Sequence, residues 1–165
     1  MAARKDDLYD EDFYAWTQHQ AAALRKLAAE RWNGPLDLEN LAEEIEDVGS
    51  DRRDAVVSQV RRLLVHLLKL EHSPSPQLRR QWLVTVNDAR AEAAQRWTEA
   101  IAREVVAGLD ATYRRARRQA ALELLDHGEA EAARALPTDC PYTLDQITDE
   151  DWLPTNRHSL ADDAV

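Results

Sequence analysis

The stretch Val56 to Leu70 restricts the fold more than any other part of the chain. Val60, Leu63, Leu64, Leu67, Leu68 and Leu70 crowd one broad side of a helix. At about 100° per residue they cover, with Val56 and Val57, well over a third of its circumference. Val65 adds apolar surface on another side. A helix apolar over so wide an arc must be touched by several neighbours, so it is expected at the centre of a helical bundle. Two ionisable residues, His66 and Lys69, interrupt this apolar run. They make it the first place to look for function.

The rest of the chain supports an all-α reading. Ala, Leu, Glu and Arg dominate, while the four glycines and six prolines fall mostly at the edges of periodic segments. With 165 residues and 44% apolar content, the chain can bury one core without disulfides or metal. The expectation is a single domain over residues 1–154, an irregular bundle of about five helices. An extended C-terminal tail should dock on it from about residue 137, and residues 155–165 should fray. The one cysteine, Cys140, cannot form an internal disulfide, which suits a reducing, cytoplasmic setting. No apolar run is long enough for a membrane span, and residues 1–10 lack the apolar core of an export signal.

Acidic side chains at Asp10 to Asp12 precede an amphipathic helix carrying Phe13, Trp16, Gln20, Leu24 and Leu27, expected to end near Ala29. Asp37 can cap a second helix, with Asn40 in the third position. Leu38, Leu41, Ile45 and Val48 form its stripe, and Gly49 is read as its C-terminal cap. The central helix then runs from about Ser50 to Glu71 and is stopped by the Ser73 to Pro76 cluster. From Trp82 a helical period continues beyond residue 116, too far for one helix in a small domain, so a break is expected near Trp97 to Ile101 with Thr98 as a cap. His127 and Gly128 should close that second segment. Tyr142, Leu144, Ile147, Trp152 and Leu153 should anchor the tail.

The run Asp37, Leu38, Glu39, Asn40, Leu41, Ala42, Glu43, Glu44, Ile45 followed by Gly49, and then His66, Leu67, Leu68, Lys69, carries a resemblance. Tyr9, Asp10, Asp12, Phe13, Trp16, Trp82, Arg90, Cys140, Pro141 and Tyr142 extend it to roughly residues 8–153. Over that span the chain resembles the bacterial family called domain of unknown function 29. The resemblance implies an all-helical fold and no established activity.

Charge narrows the partners. Residues 1–50 carry 5 basic and 12 acidic side chains, residues 51–118 carry 14 and 8, and residues 119–165 carry 2 and 11, for a net charge of -10. A mildly basic middle between acidic ends disfavours nucleic acid as a partner and favours another protein. A dimer is compatible with the pattern. If the second helix folds back through Gly49, Glu44 meets His66 or Lys69, and Asp37, Asn40, Glu44, His66 and Lys69 form a candidate binding cluster. No Glu and His stand three apart on one helix as in carboxylate-bridged metal bundles, so neither metal nor cofactor is expected. Arg61 and His66 have the Arg-x4-His spacing of helical ribonucleases in toxin and immunity systems, although an ideal helix turns them about 140° apart. The leading reading is a non-enzymatic protein-binding or adaptor module. The alternative is a metal-independent ribonuclease using Arg61 and His66.

Overall fold

The structure is a computed structural model and describes residues 7–30 and 32–161. These residues form eight helices, α1 (Asp7–Glu11), α2 (Phe13–Ala29), α3 (Leu38–His72), α4 (Arg79–Ala94), α5 (Glu99–Ala107), α6 (Leu109–Asp126), α7 (Ala130–Ala135) and α8 (Leu144–Thr148), and no strand among the described residues. The fold is all-α, with five helices of nine residues or more. None of them is long and apolar enough to cross a membrane.

The chain divides into two compact units. One holds the residues up to Val56 together with Arg96–Val105, and the other holds Val57–Gln95 and the residues from Val106 onward. In the first unit a single carboxylate starts two helices. Asp12 Oδ1 accepts the Ala15 N–H at 2.9 Å at the head of α2, and its Oδ2 accepts the Ala100 N–H at 2.9 Å at the head of α5. Both amides are first-turn donors without intrahelical partners. Thr98 Oγ1 accepts a further amide, that of Ile101, at 3.2 Å, so the expected break is present and capped. Tyr9, Phe13 and Trp16 pack ring against ring on the α1–α2 side, and the Arg52 guanidinium lies 5.1 Å above Phe13.

The turn expected at Gly49 does not occur. The second and central helices are one helix, α3, of 35 residues. Gly49 does not adopt a positive φ, which the left-handed C-cap conformation requires. Its lack of a side chain serves a close approach instead, since a Cβ there would collide with Thr17 Oγ1 of α2. A second difference lies at Gly108, which separates α5 from α6 where one helix was expected. Gly108 is the N-cap residue of α6, and its C=O accepts the Thr112 N–H at 3.0 Å as the first bond of that helix.

The second unit is built on the C-terminal half of α3, where Leu63, Leu64, Leu67 and Leu68 are all fully buried. Each contributes about 2 kcal/mol on burial. Helix α4 brings Trp82, Val86, Ala89 and Ala93, and α6 brings Tyr113, Ala116, Ala120 and Leu124, each set at helical spacing. Gly128, at φ 78°, ends α6 as expected, with Glu129 N–H bonding Leu124 C=O at 2.8 Å.

Buried Arg90 holds the tail. Its guanidinium donates to the carbonyls of Ile147 at 3.0 Å, Gln146 at 3.1 Å and Trp152 at 2.9 Å. Tyr142 O–H adds a bond to Glu71 at 2.6 Å. Residues 155–160, part of the end expected to fray, carry hydrogen bonds to the end of α3. Asn156 Nδ2 donates to the carbonyls of Leu70 at 2.7 Å and Ser73 at 3.0 Å, and the Arg157 N–H bonds Glu71 C=O at 2.9 Å. Polar bonding rather than apolar anchors secures this end, a pattern that hydrophobic periodicity does not reveal. Residues 162–165 of the expected frayed end lie outside the described residues, as do residues 1–6 of the stretch read for an export signal.

Two substitutions test these contacts. Gly to Ala at an exposed helix-interior site is worth up to about 1 kcal/mol of stabilisation. Gly49→Ala should instead lower the melting temperature, because the new methyl meets Thr17. Asn156→Ala should cost roughly 1–3 kcal/mol in a denaturant titration, since it leaves Ser73 C=O without its Asn156 donor and removes one of the two donors to Leu70 C=O.

Candidate functional site

Lys69 is the least exposed Lys, Arg, Asp or Glu among the described residues of the second unit. Only 3% of it is exposed, and Nζ donates to Glu123 Oε2 of α6 at 2.6 Å while lying 4.6 Å from the centre of the Trp82 ring of α4. Lys69 lies on the side of α3 away from Val60, Leu63 and Leu67 yet is almost wholly buried, so its charge must be met by a carboxylate and an aromatic face. Glu123 Oε1 also accepts from Gln119 at 2.9 Å. Burial raises the Glu123 carboxyl, but the bonds from Lys69 and Gln119 outweigh it and leave the group below its ordinary value.

His66, one turn back on α3, stands beside this pair. Its Nδ1 is 2.9 Å from Arg62 C=O. A carbonyl can only accept, so Nδ1 carries the hydrogen and Nε2 of the neutral ring is an acceptor. Burial lowers the His66 pKa, the bond to Arg62 opposes this, and the nearby Lys69 charge adds to the lowering. His127, the residue that caps α6, places its ring 6.3 Å from that of Trp82. Together His66, Lys69, Trp82, Glu123, Asp126, His127, Leu78, Gln81 and Thr85 line a cleft of about 360 Å³.

The structure divides the residues singled out in the sequence. His66 and Lys69 are neighbours in the cleft. Asp37 and Asn40 bond each other at the start of α3, Asn40 N–H to Asp37 Oδ1 at 3.3 Å and Asn40 Nδ2 to Asp37 Oδ2 at 2.6 Å, so their role there is to cap. Glu44 is exposed and makes no hydrogen bond or ion pair with the described residues. The turn at Gly49 on which its contact with His66 depended is absent. In place of the expected partner Glu44, His66 bonds Arg62 C=O and Lys69 bonds Glu123. Arg61 is exposed and does not line the cleft.

The acid that meets Lys69 is Glu123, which sequence reasoning did not select. Its signal was weak, an acid beside the buried stripe position Leu124, and many surface glutamates share that setting. Cys140 is half-buried, and burial raises its thiol pKa, so the reactive thiolate is disfavoured. Among the described residues no three His, Cys, Asp or Glu side chains are placed to hold a metal ion.

An all-helical protein with a half-closed charged cleft is the class these features define. The sequence pattern described as domain of unknown function DUF29 matches residues 8–153, and the chain belongs to that family. Among solved structures, an alpha-helical protein of unknown function from Rhodospirillum rubrum ATCC 11170 is similar at 30% sequence identity and a TM-score of 0.77, covering 87% of this chain and 90% of that one. No curated protein matches.

Glu123→Gln should destabilise the protein by up to about 3 kcal/mol, because it leaves the buried Lys69 ammonium without its counter-charge. Glu123→Ala combined with Lys69→Met should cost less than the sum of the single changes, a coupling that urea denaturation would measure.

Stability should also depend on His66 and on fully buried His72. Burial holds both below the ordinary 6.5, with Glu71 opposing and Arg157 and His158 reinforcing the shift at His72. A folded-state pKa below the unfolded one means that the unfolded chain takes up protons first. The stability contribution is thus full above about pH 6.5 and is lost as pH falls through the lower folded values. Denaturation midpoints of wild type and His66→Gln between pH 7.5 and 5 should converge towards the acid end.

Proposed function

We propose that the protein is a non-enzymatic cytoplasmic binding module whose partner is another protein, engaged at the mouth of the Lys69–Glu123 cleft. The supporting observation is that the cleft's strongest charges satisfy each other. Lys69 Nζ is consumed by Glu123 and Trp82, and Glu123 by Lys69 and Gln119. No nucleophile paired with a base remains among the lining residues. What remains at the mouth is a set of hydrogen-bonding groups: His66 Nε2, Asp126, His127 and Gln81. The volume suits one or two side chains of a partner, and a tryptophan floor with a polar rim is the composition that protein contacts favour. The free Cys140 thiol suits the cytoplasm.

One observation favours the ribonuclease reading: a neutral His66 with Nε2 available is the base form such chemistry needs. It would require Arg61, about 140° away around α3, to reach the same phosphate.

Two measurements separate the readings. A photo-crosslinker at exposed Gln81 should capture a protein in cells. That protein, once purified, should bind the intact chain and lose at least about tenfold in affinity against His127→Ala. A mixed RNA pool incubated with the purified protein should stay intact. Cleavage that disappears in folded His66→Ala would replace the binding module with the ribonuclease.

A further inference from the structure

Two exposed helix faces carry complementary patterns. On α6, Arg115, Arg118, Leu122 and Leu125 recur at steps of three, four and three, with Arg114 beside them. Leu122 is 58% and Leu125 50% exposed, and Arg114, Arg115, Arg118 and Leu122 border a shallow groove of about 490 Å³. On the first half of α3, Leu41, Glu44, Val48 and Asp51 recur at the same steps, with Asp47 beside them. Leu41 is 39% and Val48 53% exposed. All six charged side chains are exposed, and none makes a hydrogen bond or ion pair with the described residues.

We propose that these two faces bind each other between copies of this chain, the acidic half of α3 from one copy seated on the arginine face of α6 of the next. Equal spacing lets the helices lie side by side over about three turns. Laid antiparallel with Leu41 over Leu122, Glu44 falls within one residue of Arg118 and Asp47 within one residue of Arg115, while Asp51 falls two residues, about 3 Å, from Arg114, within reach of its long side chain. The aliphatic stems of the arginines cover Val48. The Leu41–Leu122 pair leaves water, and each charge gains a partner that it lacks among the described residues. A polyanion such as RNA would engage the arginines but leave Leu41, Val48, Leu122 and Leu125 wet, so the apolar half of both patterns favours a second copy. This contact is separate from the cleft and does not depend on the function proposed for it.

Charge reversal gives a decisive test, because all the altered residues are exposed and circular dichroism can confirm that each variant folds. Light scattering and sedimentation of the intact protein should show association that weakens between 50 and 500 mM salt. R115E/R118E and E44R/D47R should each raise the dissociation constant at least about tenfold when alone. Mixed together, they should associate with each other at near wild-type strength, since every reversed face then meets its complement. Four results would overturn the proposal: a wild type monomeric at about 100 μM in low salt, assembly insensitive to salt, folded variants that associate as the wild type does, or reversed variants that fail to associate when mixed. RNA retained by the arginine face of a monomeric protein would also overturn it and would assign that face to a polyanion.

Discussion

The second unit depends on how the C-terminal end of α3 is closed. A helix leaves its last carbonyls without internal partners, and in this protein they lie where water is scarce. His72 and Ser73, at that end, are themselves buried. Leu70 C=O accepts from Arg79 at 2.7 Å and from Asn156 at 2.7 Å. Glu71 C=O accepts from the Arg157 N–H at 2.9 Å, and His72 C=O from the His158 ring at 3.1 Å. The chain's last described segment thus supplies the cap that a solvent-exposed helix would draw from water. Leaving such groups unmet costs on the order of 1–3 kcal/mol each, comparable to burying a leucine. The tail therefore belongs to the second unit's stability as much as its leucines do.

The same logic explains the residues on which the family resemblance rests. Lys69 and Trp82 meet in a cation–ring contact, Arg90 gathers the carbonyls of the α8 end, and Tyr142 bonds Glu71. In each case a polar or aromatic group from one element satisfies a buried group of another. Burial pushes the Tyr142 phenol upward, and the adjoining Glu71 carboxylate reinforces the shift, so Tyr142 stays protonated and donates. Tyr113, pushed up to about 12 mainly by burial, likewise donates to Pro137 C=O at 2.6 Å. These bonds specify where the tail sits along the helices, which apolar contact alone leaves open.

Periodicity made the helices legible. The leucine-rich face of α3, the stripes of α4 and α6, the Thr98 cap and the Gly128 terminus could all be read locally. Gly49 misled because a glycine after an apolar stripe has two meanings, a left-handed cap or a place where another helix passes close. Only the position of Thr17 distinguishes them. That one misreading also displaced the candidate site, since the partner assigned to Lys69 depended on α3 turning back. The need for an acid near Lys69 was legible from burial, but its identity was not. Glu123 is 54 residues away, and nothing in local spacing connects them.

Lys69 also bears on why the cleft is built as it is. A buried ion pair is a weak source of stability, because desolvating both charges offsets most of their attraction, and a well-packed apolar pair would serve as well. What the pair supplies is a directional demand. Lys69 Nζ must find Glu123 and the Trp82 face at once, which sets the register of α3 against α6 and α4 together. Apolar stripes rich in alanine, such as Ala116 and Ala120 on α6, tolerate sliding by a turn. A charge with a single acceptable partner does not. Once register is fixed, His66, Asp126 and His127 are carried to the mouth of the same cleft, because each lies within one turn of Lys69 or Glu123 on its own helix or directly after it. The interaction that aligns the helices is thus the one that assembles the cleft.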